Sequence, residues 1–160
     1  MEDTLLLKMA DTFEGDPKRV GHALKVYGFA RMIAKGENLG EAERRILLSA
    51  AILHDIGIRE AERKYGCADG RYQETEGPAV ARGLLEGLAL KKQDQERVLF
   101  LVGNHHSYSK IDAPDFQILV EADFLVNIYE DGMKKEAVQS VKEHIFKTRT
   151  GSRLLEALYL

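Results

Sequence analysis

The stretch Ala51-Ile52-Leu53-His54-Asp55-Ile56-Gly57 limits this chain more than any other. An apolar segment with helical spacing feeds directly into an imidazole and a carboxylate, which places both groups at the inner end of a buried element. A buried carboxylate without a partner is strongly disfavoured, so the fold must bring it a cation or hydrogen-bond donors. Imidazole nitrogen and carboxylate oxygen together suit Mn, Fe, Co, Ni or Zn better than they suit Ca or Mg alone. Taken singly, a His-Asp dipeptide is more often a helix end beside a solvated Asp. The other ligands, if there are any, must come from elsewhere in the chain.

The apolar residues recur at steps of three and four, and Val, Ile and Thr form no alternating runs, so the expected class is all-α. Each of the three prolines, Pro17, Pro78 and Pro114, is expected at the first position of a helix, where the missing N–H costs nothing. Asp16 reads as an N-cap. A long helix from Pro17 carries one face through Val20, Ala23, Leu24, Tyr27, Ala30 and Ala34, and a second through Val26, Phe29 and Ile33. His22 precedes that second face and points inward. The next helix, from Gly40-Glu41, delivers His54 and Asp55 at its C-terminal end, with Gly57 as its stop.

Residues 58–75 read as an irregular stretch carrying Arg59, Arg63, Lys64 and Arg71. Two readings stay open: a cationic lid over an anionic substrate, or a short solvated helix whose charge Glu60, Glu62, Asp69 and Glu74 dilute. A helix opening at Thr75-Glu76-Gly77-Pro78 follows, then one over 92–106 that ends in Asn104-His105-His106. Asp112 is expected to cap a helix over 114–131, with Tyr129 among its core residues. Asp123 sits in its middle, where Asp is a poor helix former and costly near a core, while Glu121 lies on a different side. Gly151 is expected to break the last helical stretch.

A chain of 160 residues fits one domain with a real core. Its net charge of −3 gives no basic field for nucleic acid. A single cysteine, Cys67, excludes an internal disulfide and fits a reducing compartment. No apolar run approaches the roughly 20 residues of a membrane span. The expectation is a cytoplasmic protein that contacts neither nucleic acid nor membrane, with a homodimer left open.

The inward polar residues of three helices are His22, His54, Asp55 and Asp123. Two imidazoles and two carboxylates can bind one divalent transition metal octahedrally, with two positions open for water or substrate.

The order His22, then His54-Asp55, then Asp123, on an all-helical chain of this size, resembles the HD superfamily of metal-dependent phosphohydrolases. The flanking sequence is similar too: Ala-Ile-Leu before His54-Asp55-Ile-Gly, a Glu-Gly-Pro segment, a helix ending in His-His, and Glu-Ala-Asp-Phe-Leu before Asn127. The resemblance covers about residues 18–130. It implies a helical bundle with ligands from three or more helices, over a single domain of residues 1–160 with 133–160 as a C-terminal helical extension. It implies that His22, His54, Asp55 and Asp123 are metal ligands for Mn, Fe, Co, Ni or Zn, with Mg as a further candidate. In two-metal relatives Asp55 would bridge, and the second ion would draw on the His105-His106 pair and on a histidine where this chain has Gln73. The cyclic-dinucleotide branch is disfavoured, since Ile58 stands where that branch has a lysine and its Gly-Tyr-Pro tripeptide is absent.

The expected activity is therefore metal-dependent hydrolysis of a small phosphomonoester, with a nucleotide as the expected anionic substrate. Asp55 and Glu76 are the candidate catalytic residues, and Arg59, Lys64, His105 and His106 the candidate substrate-binding ones. Two alternatives stand beside it: an oxygenase using a pair of irons, and a non-catalytic module that binds metal or ligand.

Overall fold

A computed structural model describes all of residues 1–160. It contains nine α-helices and no strand. They are α1 (Glu2–Thr12), α2 (Pro17–Gly36), α3 (Glu41–Leu53), α4 (Ile58–Tyr65), α5 (Gly70–Leu85), α6 (Lys92–Val102), α7 (Pro114–Glu130), α8 (Lys135–His144) and α9 (Arg149–Tyr159), with a 3-10 turn at Tyr108–Lys110 before α7.

The bundle is built around α3. Every residue from Ile46 to Leu53 is buried, and a helix apolar on all sides must lie inside its neighbours. Those neighbours are α1, α2, α6 and α7. Helix α2 packs on both α3 and α7, and α4 and α5 pack on each other beside α6. Asp16 caps α2 as expected, its carboxylate accepting from the Arg19 amide, with Pro17 at the first position. Pro114 likewise opens α7.

Several expectations give way. Residues 58–75 are mostly helical: α4, a short connection, and the first turn of α5, capped by Asp69. Pro78 therefore lies inside α5 rather than at its start. The inward positions of this early part of α5 are Gln73, Glu76 and Gly77, so no apolar stripe announces the helix. The basic residues here are paired locally, Arg63 with Glu60, Lys64 with Glu76 and Arg71 with Asp69. That is the solvated-helix arrangement, not a field of free cations. Asp112 does not cap α7; it pairs with Arg97, which also holds Asp115. Tyr129 is 77 % exposed. Gly151 is inside α9, where its missing side chain makes room for the Glu121 carboxylate.

Gly57 is not a left-handed helix stop. Its φ is −77°, in the right-handed region. What requires glycine is proximity, because a methyl there would sit 2.6 Å from the Gly77 nitrogen and 2.7 Å from the Gln73 carbonyl oxygen. The turn after α3 thus presses backbone to backbone on α5, and that contact sets where Asp55 stands. Backbone cannot move aside as a flexible side chain can, so overpacking here costs at least the usual 1–3 kcal/mol, roughly. Gly57→Ala is expected to lower unfolding free energy by about that amount or more, measured by urea denaturation, and to weaken metal binding in the fraction that folds.

Candidate metal centre

Four ligand-type atoms from α2, the end of α3 and α7 converge at one point. His22 comes from the second turn of α2, His54 and Asp55 from the turn that ends α3, and Asp123 from the middle of α7. The Nε2 atoms of His22 and His54 are 3.1 Å apart. Asp55 Oδ2 is 3.4 Å from each of them, and Asp123 Oδ1 is 3.2 Å from His22 and 3.5 Å from His54. His54 has no exposed surface, and His22 and Asp123 are buried.

The tautomers follow from the outer contacts. His54 Nδ1 donates to the Ala51 carbonyl at 2.8 Å, and His22 Nδ1 donates to Glu130 Oε2 at 3.1 Å. With Nδ1 carrying the proton in both rings, each Nε2 presents a lone pair. Two imidazole lone pairs and two carboxylate oxygens then face one another within 3.5 Å. Such a set repels itself unless a cation sits among it. Nitrogen and oxygen donors in this mixture fit a divalent transition ion.

The titration behaviour has the same cause. Burial pulls the His54 pKa down, but Asp55 and Asp123 outweigh it and hold it well above the ordinary value. Burial likewise opposes, and Asp123 and Asp55 overcome, the rise at His22. Burial pushes both carboxyls up, yet the facing histidines hold Asp55 and Asp123 below the usual carboxylate range. Ring protons would answer the two carboxylates in place of a cation.

A second group adjoins the first through Asp55. Its Oδ1 is 3.4 Å from His105 Nε2. His105 Nδ1 donates to the Val102 carbonyl at 2.9 Å, which leaves Nε2 a buried acceptor without a partner. His106 completes a set whose donor atoms all lie within 4.8 Å. Gln73 stands beside it: its Nε2 donates to the Ala68 carbonyl, so its Oε1 accepts from His106 Nε2 at 3.2 Å and leaves His106 Nδ1 free. Burial and the neighbouring His105 lower the His106 pKa, which keeps that ring neutral and able to ligate. The orphaned His105 nitrogen, with Asp55 and His106, would suit holding a second ion.

The structure does not bring the remaining candidates to this centre. Glu76 accepts from Lys64 Nζ at 2.8 Å and from the Tyr65 hydroxyl at 3.0 Å. Those two contacts hold its carboxyl below the usual range, which makes it a poor base. Lys64 is spent on that pair. The Arg59 guanidinium donates to the Glu14 carbonyl and lies over the Phe13 ring. His105 and His106 are placed as ligand-type groups beside Asp55.

Two residues that support the centre had no role assigned from the sequence: Asn127, named there only as flanking context, and Glu130. Asn127 Nδ2 donates to Asp123 Oδ1 at 3.0 Å. Glu130 orients His22 and is itself held by Lys25 at 2.7 Å. Glu130 lies seven residues after Asp123 on the same face of α7. A carboxylate on the last residue of a helix opposes the helix dipole, and that was the available signal.

A family model described as HD domain matches residues 19–148 of the chain. No curated protein and no solved structure gave a match. No helix is long and apolar enough to cross a membrane.

Two outcomes are expected. Glu130→Gln should lower metal affinity about 10- to 100-fold by titration calorimetry, the usual cost of losing an outer carboxylate on a ligating histidine. In chelator, the raised histidine values stabilise the fold fully below the unfolded histidine pKa of about 6.5, and that stability is lost as pH rises through the folded values. The lowered aspartate values act at the acid end, where their contribution is lost as pH falls through the folded values. Metal-free protein should therefore melt at lower temperature at pH 9 than at pH 6, and a divalent transition ion should reverse most of that loss.

Proposed function

The chain belongs to the HD domain family of metal-dependent phosphohydrolases, and we propose that it hydrolyses a small phosphomonoester, with a nucleotide as the substrate class. The observation that carries this reading is the facing of the His22 and His54 lone pairs across 3.1 Å with two carboxylate oxygens beside them. His22, His54, Asp55 and Asp123 would hold one divalent ion, and Asp55, His105 and His106 a second. A bound ion supplies a Lewis acid for a phosphoryl oxygen and brings a water pKa toward neutrality.

The chain's own groups divide the remaining work. Asp55 offers one oxygen to each group, so it fixes the spacing between the two positions. Its pKa is held low, and so is that of Asp123, which keeps both ionised and acceptor-only at neutral pH. Asn127 prevents Asp123 from rotating, and Glu130 does the same for the His22 ring. Arg19 of α2 is close enough for its charge to act on Asp55, and Lys25 reaches the centre through Glu130. Both are themselves paired, Arg19 with Glu62 and Lys25 with Glu130, so neither is a free cation beside the centre.

The orphaned His105 nitrogen favours one further reading, an oxidation that uses a pair of irons. Metal analysis of protein purified with and without air separates the two, since two equivalents of iron retained in both would favour oxidation.

The test is phosphate release from a nucleotide panel and an aryl phosphate with Mn, Co, Ni, Zn or Mg. Turnover is expected with at least one metal and lost in Asp55→Asn. Arg59→Ala and Lys64→Ala should change kcat/KM by less than about threefold, under the cost of a typical hydrogen bond. No turnover in protein shown to be metal-loaded would overturn the reading.

A further inference from the structure

Near the opposite end of α3 from His54, the structure holds a cleft of about 620 Å³ between α1, α2 and α3. Arg45 on its wall is nine residues before His54, or roughly 14 Å along the helix axis. The cleft shares no residue with the metal centre.

Four cations line it: Arg31 and Lys35 one turn apart on α2, and Arg44 and Arg45 at the start of α3. Arg45 is tied to Glu41 at 3.0 Å. Arg31, Lys35 and Arg44 have no carboxylate within 4.0 Å, whereas most other arginines of this chain are paired with one. Two acids lie on the same wall: Glu2, which accepts from the Tyr27 hydroxyl at 2.6 Å, and Asp3. Like charges from two helices therefore converge on one concavity with only partial internal compensation. The Tyr27 ring and Leu48 add an apolar surface beside them.

We propose that this cleft is an anion site for a pyrophosphate group, free or carried by a nucleoside diphosphate. The charge balance favours it. Four cations against two carboxylates leave an excess of two positive charges on the lining, one once the Arg45–Glu41 pair is set aside, which suits an anion, and Arg binds phosphate oxygens in pairs through its planar fork. The volume lies in the range of small-molecule sites and exceeds what one phosphate fills. The apolar wall gives a nucleoside somewhere to lie. The site stands independently of the reaction at the metal centre.

The experiment uses the full chain in excess chelator, so that no ion at the metal centre can capture the anion. Inorganic pyrophosphate and adenosine diphosphate are titrated by calorimetry, with thermal melts in parallel. Binding of both is expected, weakening as salt rises. Arg31→Gln and Arg44→Gln, each at an exposed position, should weaken it about tenfold or more apiece, as loss of a charge-assisted hydrogen bond predicts. Equal affinity for the two probes assigns the site to pyrophosphate alone, and tighter binding of the diphosphate adds a nucleoside contact at Tyr27 and Leu48. No binding of either probe, or binding unchanged in both folded variants, overturns the proposal. Neither result bears on phosphate release at the metal centre.

Discussion

The structure depends on an electrostatic conflict: two imidazole nitrogens, each with its lone pair turned inward, 3.1 Å apart and flanked by two carboxylates. Water relieves little of it, because His54 is wholly buried and His22 and Asp123 are nearly so. Hydrogen bonding cannot relieve it either, because the Ala51 carbonyl and Glu130 commit both ring protons to the outer side. A cation among the four atoms resolves the conflict, and without one the rings must take up protons. Metal binding and folding are therefore linked, as in any site whose ligands repel one another when empty.

Helix packing creates this conflict and holds it in place. The last eight residues of helix α3 are buried on all sides, so its end can only be delivered into the interior, and His54 follows directly on Leu53. Helices α2 and α7 pack on each other and both on α3, which brings His22 and Asp123 to the same point. The close approach of Gly57 to Gly77 then fixes how the chain leaves α3 and where Asp55 faces. The second group is reached from the same turn, with Asp55 between His22 and His54 on one side and His105 on the other. One residue position thus couples two clusters drawn from four helices or their ends.

Much of this was legible in the sequence because helical phase is a geometric statement. His22, His54 and Asp123 could be placed inward from their spacing to Val26, Ile46 and Ala122, and the structure brings them together. Phase says nothing, however, about which way a long side chain turns. Arg59 and Lys64 follow the His-Asp pair directly, yet one reaches back to Glu14 and the other across to Glu76. Glu76 likewise drew attention by its place beside Gly77 and Pro78, and its partners make it an ion-pair member. The start of α5 was hidden for another reason: its inward residues are polar or glycine, so the apolar period on which helix detection rests is absent. Glu130 was hidden because its role is to hold a ligand, seven residues from Asp123.

Helix α7 carries two buried mid-helix carboxylates two residues apart, and their partners separate a structural role from a ligand role. Both were costly to bury. Glu121 is surrounded by donors: the Gln117 amide, the Lys147 and Thr148 backbone N–H groups and the Thr148 hydroxyl. Burial still pushes its carboxyl up, and the donors only partly offset that. It needs nothing more, and its work is to seat the start of α9 on α7. Asp123 has one donor, Asn127, and otherwise faces the lone pairs of His22 and His54. Apart from that amide and the protons the two rings take up, the protein offers its charge no partner. Burial and mid-helix position are common to the two residues, so neither property marks a metal ligand. The mark is a buried acceptor whose neighbours are also acceptors, and in this chain that condition holds around His22, His54, Asp55 and Asp123, and again at His105.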